Sequence, residues 1–193
     1  MNEIEKAEVG KAMNKMKRTI VFCLIVVSGA LVSVLGDPLT YKVEGDTVAI
    51  VDCKETASGE LVIPPNYDGK PVTSIGSSAF YDCDSLTSIT IPDSVTSIGG
   101  DTFSGCSSLE SVKIPNKIRI INSGTFSYCL KLKSITIPNK VFIINDYAFQ
   151  YCSSLTSVTI PDSVTSIRGS AFQNCSSLTV SYTHLTLPTI LLV

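Results

Sequence analysis

The sequence contains no tryptophan and a single histidine, His184, among its 193 residues. Serine and cysteine hydrolases use an imidazole as general base, and histidine is also the commonest metal ligand in proteins. The rest of the chain has no imidazole, which removes Ser-His-Asp and Cys-His catalysis and metal ligation by histidine. We therefore predict that the protein is not an enzyme and that it binds no cofactor and no metal.

Charged residues are also scarce, at 17% of the chain, and their balance is acidic. Beyond Gly36, ten Lys or Arg stand against fourteen Asp or Glu, a net charge of about −4. A protein that binds nucleic acid or an anionic membrane through charge needs a basic surface. This balance argues against both as the main partner, and we expect no basic cluster and no aromatic platform.

The chain has one long apolar run near its beginning, which starts at Ile20 after the basic pair Lys17 and Arg18. A basic start, an apolar segment and small residues at its end are the pattern of a secretory signal peptide. The run is shorter than the roughly 20 residues that a spanning helix needs. We predict a signal peptide over residues 1–36, with Met16 as the alternative start and an uncleaved membrane anchor as the alternative interpretation. The protein is then expected to be secreted or at the cell surface.

One pattern returns every 23 residues through most of the remaining chain. The interval separates successive members of columns of proline, phenylalanine, cysteine, leucine and isoleucine. Two of these columns are Phe80, Phe103, Phe126, Phe149, Phe172 and Cys83, Cys106, Cys129, Cys152, Cys175. A constant period of this length is typical of a solenoid, in which each repeat buries its apolar face against its neighbours.

A single repeat indicates how each turn of the solenoid is built. Residues 86–91 alternate between apolar and polar side chains and predict a half-buried strand. Residues 95–98 predict a second, shorter extended segment. Residues 102–107 are expected to form one helical or 3₁₀ turn that points Phe103 and Cys106 inward.

The motifs L-x-x-I-x-I-P, V-x-x-I and A-F-x-x-C-x-x-L, repeated at 23 residues, resemble the BspA-type leucine-rich-repeat family. The segments SSAFYDCDSLTSITIPDSVTSIG (77–99) and GSAFQNCSSLT (169–179) match its pattern closely. The resemblance implies an α/β, mostly β fold: a horseshoe-like solenoid with parallel strands stacked one per 23-residue rung. It also implies a secreted or cell-surface adhesion or recognition module without catalytic residues. The repeats NKIRIINSGTF and NKVFIINDYAF depart from the pattern, which changes the surface of two rungs but not their core.

The pattern divides the rest of the chain into three parts. Residues 37–62 predict an N-terminal β-hairpin cap, because Leu39 to Cys53 alternate and Gly45-Asp46 suits a two-residue turn. Residues 63–179 form the solenoid of about five rungs. Residues 180–193 break every column at once. We interpret them as a non-native tail, with a divergent capping strand as the alternative.

The cysteine column allows a disulfide, zinc or free-thiol interpretation. Equivalent atoms in neighbouring rungs lie about 4.8 Å apart, whereas a disulfide needs Cβ atoms at about 3.5–4.5 Å and zinc needs tetrahedral ligands. Buried free thiols that act as small apolar side chains fit best. Asp82 and Asp84, and the recurring Asp93 and Asp162, are interpreted as solvated loop carboxylates.

The outward positions of the predicted strands form the candidate partner-binding face. Stacking would align twelve such residues in three rows: Ser88, Ser111, Ser134 and Ser157; Thr90, Lys113, Thr136 and Thr159; Thr87, Glu110, Lys133 and Thr156. Such a row of small hydroxyls either only solvates the sheet or forms an extended polar binding face.

The function that we favour for this face is binding of a protein or glycan ligand on a host or neighbouring cell. A second hypothesis is the repeat region of a truncated surface enzyme or of a larger surface protein. A third is a structural or ice-binding solenoid, which Lys113 disfavours because it interrupts the Ser-x-Thr array.

Overall fold

The computed structural model describes residues 36–179, so the predicted signal peptide and tail lie outside the described residues. Within this range the chain forms short β-strands and turns, and no α-helix. The strands are β1 (Leu39–Glu44), β2 (Thr47–Cys53), β3 (Gly59–Val62), β4 (Asn66–Tyr67), β5 (Lys70–Ile75), β6 (Leu86–Thr90), β7 (Ser97–Ile98), β8 (Ser111–Lys113), β9 (Ile120–Ile121), β10 (Ser134–Thr136), β11 (Ile143–Ile144), β12 (Ser157–Thr159) and β13 (Ser166–Ile167).

The first two strands form the predicted hairpin. β1 and β2 pair antiparallel around Gly45-Asp46, with Glu44 opposite Thr47. Gly45 has a φ of 59°, in the left-handed region that a tight two-residue turn requires. The Thr47 hydroxyl donates to the Glu44 carbonyl at 3.1 Å and fixes the turn. β2 then pairs in parallel with β5, so the hairpin is continuous with the repeats.

Each rung contributes one strand to each of two parallel columns. We number the rungs one (59–85), two (86–108), three (109–131), four (132–154) and five (155–177). The front column consists of β3, β6, β8, β10 and β12, and the side column of β2, β5, β7, β9, β11 and β13. Equivalent residues 23 positions apart face each other, such as Ser88 and Ser111. The predicted mostly β solenoid with parallel stacked strands is confirmed.

Both columns are interrupted once by a missing strand pairing. The front column divides into β3-β6-β8 and β10-β12, and β9-β11-β13 of the side column is separate from β7. At the second interruption the side-chain amide of Asn122 donates to the Ile98 carbonyl at 2.7 Å. Between the next two rungs, the equivalent carbonyl, that of Ile121, accepts from the backbone N–H of Asn145 at 2.9 Å. The Asn122 side chain thus replaces a ladder bond where the strands part.

A third column, which we call the turn column, consists of residues 78–83 and their equivalents in each later rung. Its segments hydrogen-bond to one another, for example Phe103 N–H to the Thr125 carbonyl and Phe126 N–H to the Ala148 carbonyl, at 2.9 and 2.8 Å. The expected helical turn at 102–107 is a series of turns instead. Gly105 has a φ of 78°, and this left-handed residue prevents the backbone from continuing as a helix.

The core is a column of stacked phenylalanines. Phe80, Phe103, Phe126 and Phe149 are completely buried, and Phe172 is half-buried. Successive ring centroids lie 5.2, 5.4, 5.4 and 5.1 Å apart, with interplanar angles between 5° and 25°. The prediction that these rings form one continuous row is confirmed.

The cysteines form a second core column beside the rings. Cys83, Cys106, Cys129 and Cys152 are buried and Cys175 is half-buried, all as free thiols. Cys53 of the hairpin, which the repeat pattern leaves isolated, adjoins the end of this column. A hydrogen bond with the Cys83 thiol, together with burial, raises the pKa of Cys53.

Candidate binding surface

The twelve residues of the predicted face lie in or beside the front-column strands of rungs two to five. Eleven of them are exposed, and Ser88 is half-buried. The side chains between them point the other way, since Ile89 and Ile135 are each only 3% exposed. The two-residue period of a strand therefore separates core from surface as the sequence predicted.

The serine row is aligned in two pairs. Ser88 stands in register with Ser111, and Ser134 with Ser157. Between Ser111 and Ser134 the strand pairing is interrupted. The second row follows the same arrangement, with Thr90 opposite Lys113 and Thr136 opposite Thr159.

The third row connects the two halves of the front column. Backbone N–H groups of Glu110, Lys133 and Thr156 donate to the equivalent residue one rung earlier, at 2.9, 3.3 and 2.9 Å. The Lys133 Nζ donates to Glu110 Oε2 at 2.6 Å, in an ion pair that spans the interruption. This contact lowers the pKa of Glu110, and the pair remains open to solvent.

The chemistry of this face is that of hydrogen bonding and weak charge pairing. It offers hydroxyl donors and acceptors at strand spacing, two lysines and one carboxylate. Across residues 36–179 no three His, Cys, Asp or Glu side chains converge on a point where they could hold a metal ion. The loop residues Asp82, Asp84, Asp93 and Asp162 are exposed.

An exposed aromatic pair was missed by the sequence reasoning, which expected no aromatic platform. Tyr128 and Tyr151 lie in the turn column of rungs three and four, with ring centroids 4.6 Å apart and an interplanar angle of 16°. Their exposed fractions are 48% and 38%, and both have a left-handed φ near 60°. The signal was available, because each tyrosine follows a core phenylalanine by two residues.

Residues 36–179 contain no helix long and apolar enough to cross a bilayer. Comparison with curated protein sequences gives no match.

Several solved leucine-rich-repeat structures are similar to this chain. A leucine-rich cell surface protein from Faecalibacterium prausnitzii A2-165 is 34% identical over 74% of this chain and 37% of its own, with a TM-score of 0.70. The leucine-rich repeat protein of T. pallidum is 32% identical over 73% of this chain and 66% of its own, with a TM-score of 0.69. One from Bacteroides ovatus ATCC 8483 is 34% identical over 74% of this chain and 45% of its own, with a TM-score of 0.59.

The matched part of these proteins is therefore less than two thirds of their length. The sequence pattern described as the BspA type leucine rich repeat region matches residues 70–190 in six copies, which is more than half of the chain. The period, the stacked rungs and this match agree, and the chain belongs to the BspA-type leucine-rich-repeat family.

Proposed function

We propose that this chain is a secreted or cell-surface recognition module that binds a protein or glycan on a host or neighbouring cell. Binding would use the exposed face of the front column and would involve no catalysis. The observation that carries this proposal is the array of exposed hydroxyl, amino and carboxylate groups, which are in register between rungs two and three and between rungs four and five. Extended, repetitive surfaces of this kind are what solenoids commonly use for binding.

The two lysines of the face make the proposal testable. Lys113 is exposed, and the only ion pair of Lys133 within residues 36–179 is the solvent-open one with Glu110. Their positive charge would attract an anionic group on the partner, and salt would weaken the contact. Neither side chain contributes to the core, so their replacement leaves the buried columns of apolar side chains unchanged.

The experiment compares attachment of the Lys113→Glu/Lys133→Glu variant and the parent chain to immobilised extracellular-matrix proteins and to glycan arrays. We expect at least a tenfold loss, equivalent to about 1.4 kcal/mol. A Lys54→Glu/Arg168→Glu variant is the matched control, because it makes the same charge change at exposed positions outside the face. Equal attachment by all three proteins would contradict the proposal that the front-column face binds the partner.

A second candidate is the repeat region of a larger surface protein, including a surface enzyme. The observation that favours it is the share of the similar structures that the chain matches, 37% in one and 45% in another. In that case the front column would position a separate domain at its target. Sequencing the genomic reading frame through this region tests the proposal directly, since a further domain in the frame would support it.

A further inference from the structure

The side column carries a second surface at the two rungs whose sequence departs from the repeat. Four equivalent positions change in rungs three and four relative to rungs two and five. Asp93 and Asp162 correspond to Asn116 and Asn139; Ser94 and Ser163 to Lys117 and Lys140; Thr96 and Thr165 to Arg119 and Phe142; Ser97 and Ser166 to Ile120 and Ile143. We call the six residues Lys117, Arg119, Ile120, Lys140, Phe142 and Ile143 the side patch.

The strand register places the two halves of the side patch in adjacent rungs. Ile120 and Ile143 are directly paired in the parallel register of β9 and β11. Phe142 N–H donates to the Arg119 carbonyl at 3.0 Å, so these two side chains also occupy adjacent rungs. Both isoleucines are half-buried, and Phe142 is 37% exposed. The result is an apolar centre at the solvent-facing side of two neighbouring strands.

Three cations accompany this apolar centre along the chain, and none of them forms an ion pair within residues 36–179. Lys117, Arg119 and Lys140 are exposed. Ion pairs within residues 36–179 join Lys42 to Glu44 and Lys133 to Glu110, so none involves the side patch. Between Glu110 and Asp146 the sequence has six Lys or Arg and no Asp or Glu. The acidic total of the chain therefore conceals a basic stretch of the sequence.

Folding does not account for the side patch. The buried positions of the same rungs, such as Ile118 and Val141, already match Val95 and Val164 of the neighbouring rungs. In rungs two and five, serine and threonine occupy the equivalent positions, and these rungs still form the side-column strands β7 and β13. In addition, Lys117 and Lys140 occupy equivalent places in adjacent rungs, where like charges destabilise the pairing.

We infer that the side patch binds an acidic segment of a partner protein that also carries apolar side chains. The three cations select the negative charge, and Phe142 with the two isoleucines selects apolar groups. A purely polyanionic glycan would use the cations but leave the apolar centre uncovered, which makes a protein segment the better match. This surface is separate from the front column and does not depend on the function proposed for it.

The experiment exchanges the side patch for the residues of the neighbouring rungs in the full chain. The swap variant is Lys117→Ser/Arg119→Thr/Ile120→Ser/Lys140→Ser/Phe142→Thr/Ile143→Ser. Two half variants change only the cations or only the apolar residues. The probe is a fluorescein-labelled peptide of alternating glutamate and leucine, with fluorescence anisotropy as the readout. The matched control is Lys54→Ser/Lys131→Ser, which removes two exposed charges outside both the front column face and the side patch.

We expect the swap variant to bind the peptide at least tenfold more weakly than the parent, each half variant to lose several-fold, and the control to bind as the parent does. Circular dichroism verifies the fold, and the half variants give the same comparison if the swap variant does not fold. Unchanged binding by the swap variant would overturn the inference. So would preferential binding of a heparin dodecasaccharide, or of vesicles of phosphatidylserine and phosphatidylcholine, that depends on the cations but not on Phe142 and the isoleucines.

Discussion

The Sγ atom of Cys129 lies 3.2 Å from the carbonyl oxygen of Phe103, one rung earlier, and the thiol donates a hydrogen bond to it. Cys106, Cys152 and Cys175 make the same contact with the preceding rung, at 3.2, 3.1 and 3.0 Å. The thiol therefore has two tasks in each rung. It fills the core beside the ring column and it satisfies a carbonyl group that faces the core.

Alkaline pH should destabilise the fold through these thiols. Burial raises the pKa of Cys129 well above its ordinary value, and burial likewise raises the pKa of Cys106. An unfolded thiol ionises near pH 8.5, whereas the folded one remains protonated, so the unfolded state releases the proton first. The contribution of these thiols to the free energy of unfolding is then constant below about pH 8, and above it falls by about 1.4 kcal/mol per pH unit for each such thiol. Urea unfolding between about pH 7 and pH 10 measures the slope.

The control for this prediction is Cys129→Ser, whose hydroxyl can still donate to Phe103 but does not titrate in this range. Its slope above about pH 8.5 should be smaller than that of the parent by one thiol's share, about 1.4 kcal/mol per pH unit. An identical slope in the two proteins would contradict the assignment to Cys129.

Truncation of a central ring should cost far more than truncation of a terminal one. Phe126 is completely buried and stacks on both sides, so Phe126→Ala should lower the free energy of unfolding by about 3–5 kcal/mol. Phe172 is half-buried, and Phe172→Ala should cost clearly less. Urea unfolding at neutral pH compares the two variants. Equal losses would mean that the ring column is not the centre of the core.

Two adjacent glycines should respond differently to an added methyl group. A Cβ atom at Gly99 would lie 2.3 Å from the backbone nitrogen of Ser77, and backbone cannot move aside cheaply. At Gly100 the nearest atom is the Ser123 carbonyl oxygen, at 3.2 Å. Gly99→Ala should cost about 3 kcal/mol and Gly100→Ala less than about 1 kcal/mol. Thermal unfolding of both variants measures the difference, and a stable Gly99→Ala protein would refute the close approach of these rungs.

The asparagine at the interruption of the side column should contribute to stability. Asn122→Ala removes the amide that donates to the Ile98 carbonyl and should cost about 1–3 kcal/mol. Asn145 is the matched position one rung later. The backbone N–H of Asn145 already donates to the Ile121 carbonyl, and its side-chain amide nitrogen lies 3.5 Å from Asn122 Oδ1. Asn145→Ala should therefore cost less than Asn122→Ala in urea unfolding, and the reverse order would contradict the bridging role.

The stacked core could be predicted from the sequence because a fixed period leaves few choices. Once Phe80 and Phe103 occupy equivalent places in consecutive rungs, the remaining rings must extend the same column. The hairpin turn at Gly45-Asp46 was equally local, since it needs only two residues and a left-handed φ. Both features follow from spacing and residue type alone.

The helical turn and the strand interruptions could not be predicted in this way. Residues 102–107 have the composition of a helical turn, but the left-handed backbone at Asp101 and Gly105 permits only separate turns. That conformation is imposed by the hydrogen bonds to the next rung, such as Gly105 N–H to the Ser127 carbonyl at 2.9 Å. The repeat period fixes the distance between rungs, but small shifts of the strands within that distance decide whether β8 pairs with β10.

The outward direction of the candidate binding residues was predictable, whereas their internal contacts were not. The alternation around Ile89 places Ser88 and Thr90 on the solvent side. The ion pair of Lys133 with Glu110 required knowledge of rotamers as well as register. The side patch was visible as a departure from the repeat, but only the paired strands show that its two halves adjoin.

Hydrogen bonds between rungs join residues at constant offsets, 23 positions for Lys133 to Glu110 and 26 for Cys129 to Phe103. In-frame duplication or loss of one repeat therefore brings together flanking units that already fit each other. Gain or loss of whole repeats can therefore lengthen or shorten the molecule in fixed steps, without compensating changes in its interior. The length of such a solenoid can thus change in evolution while the structure of each rung stays the same.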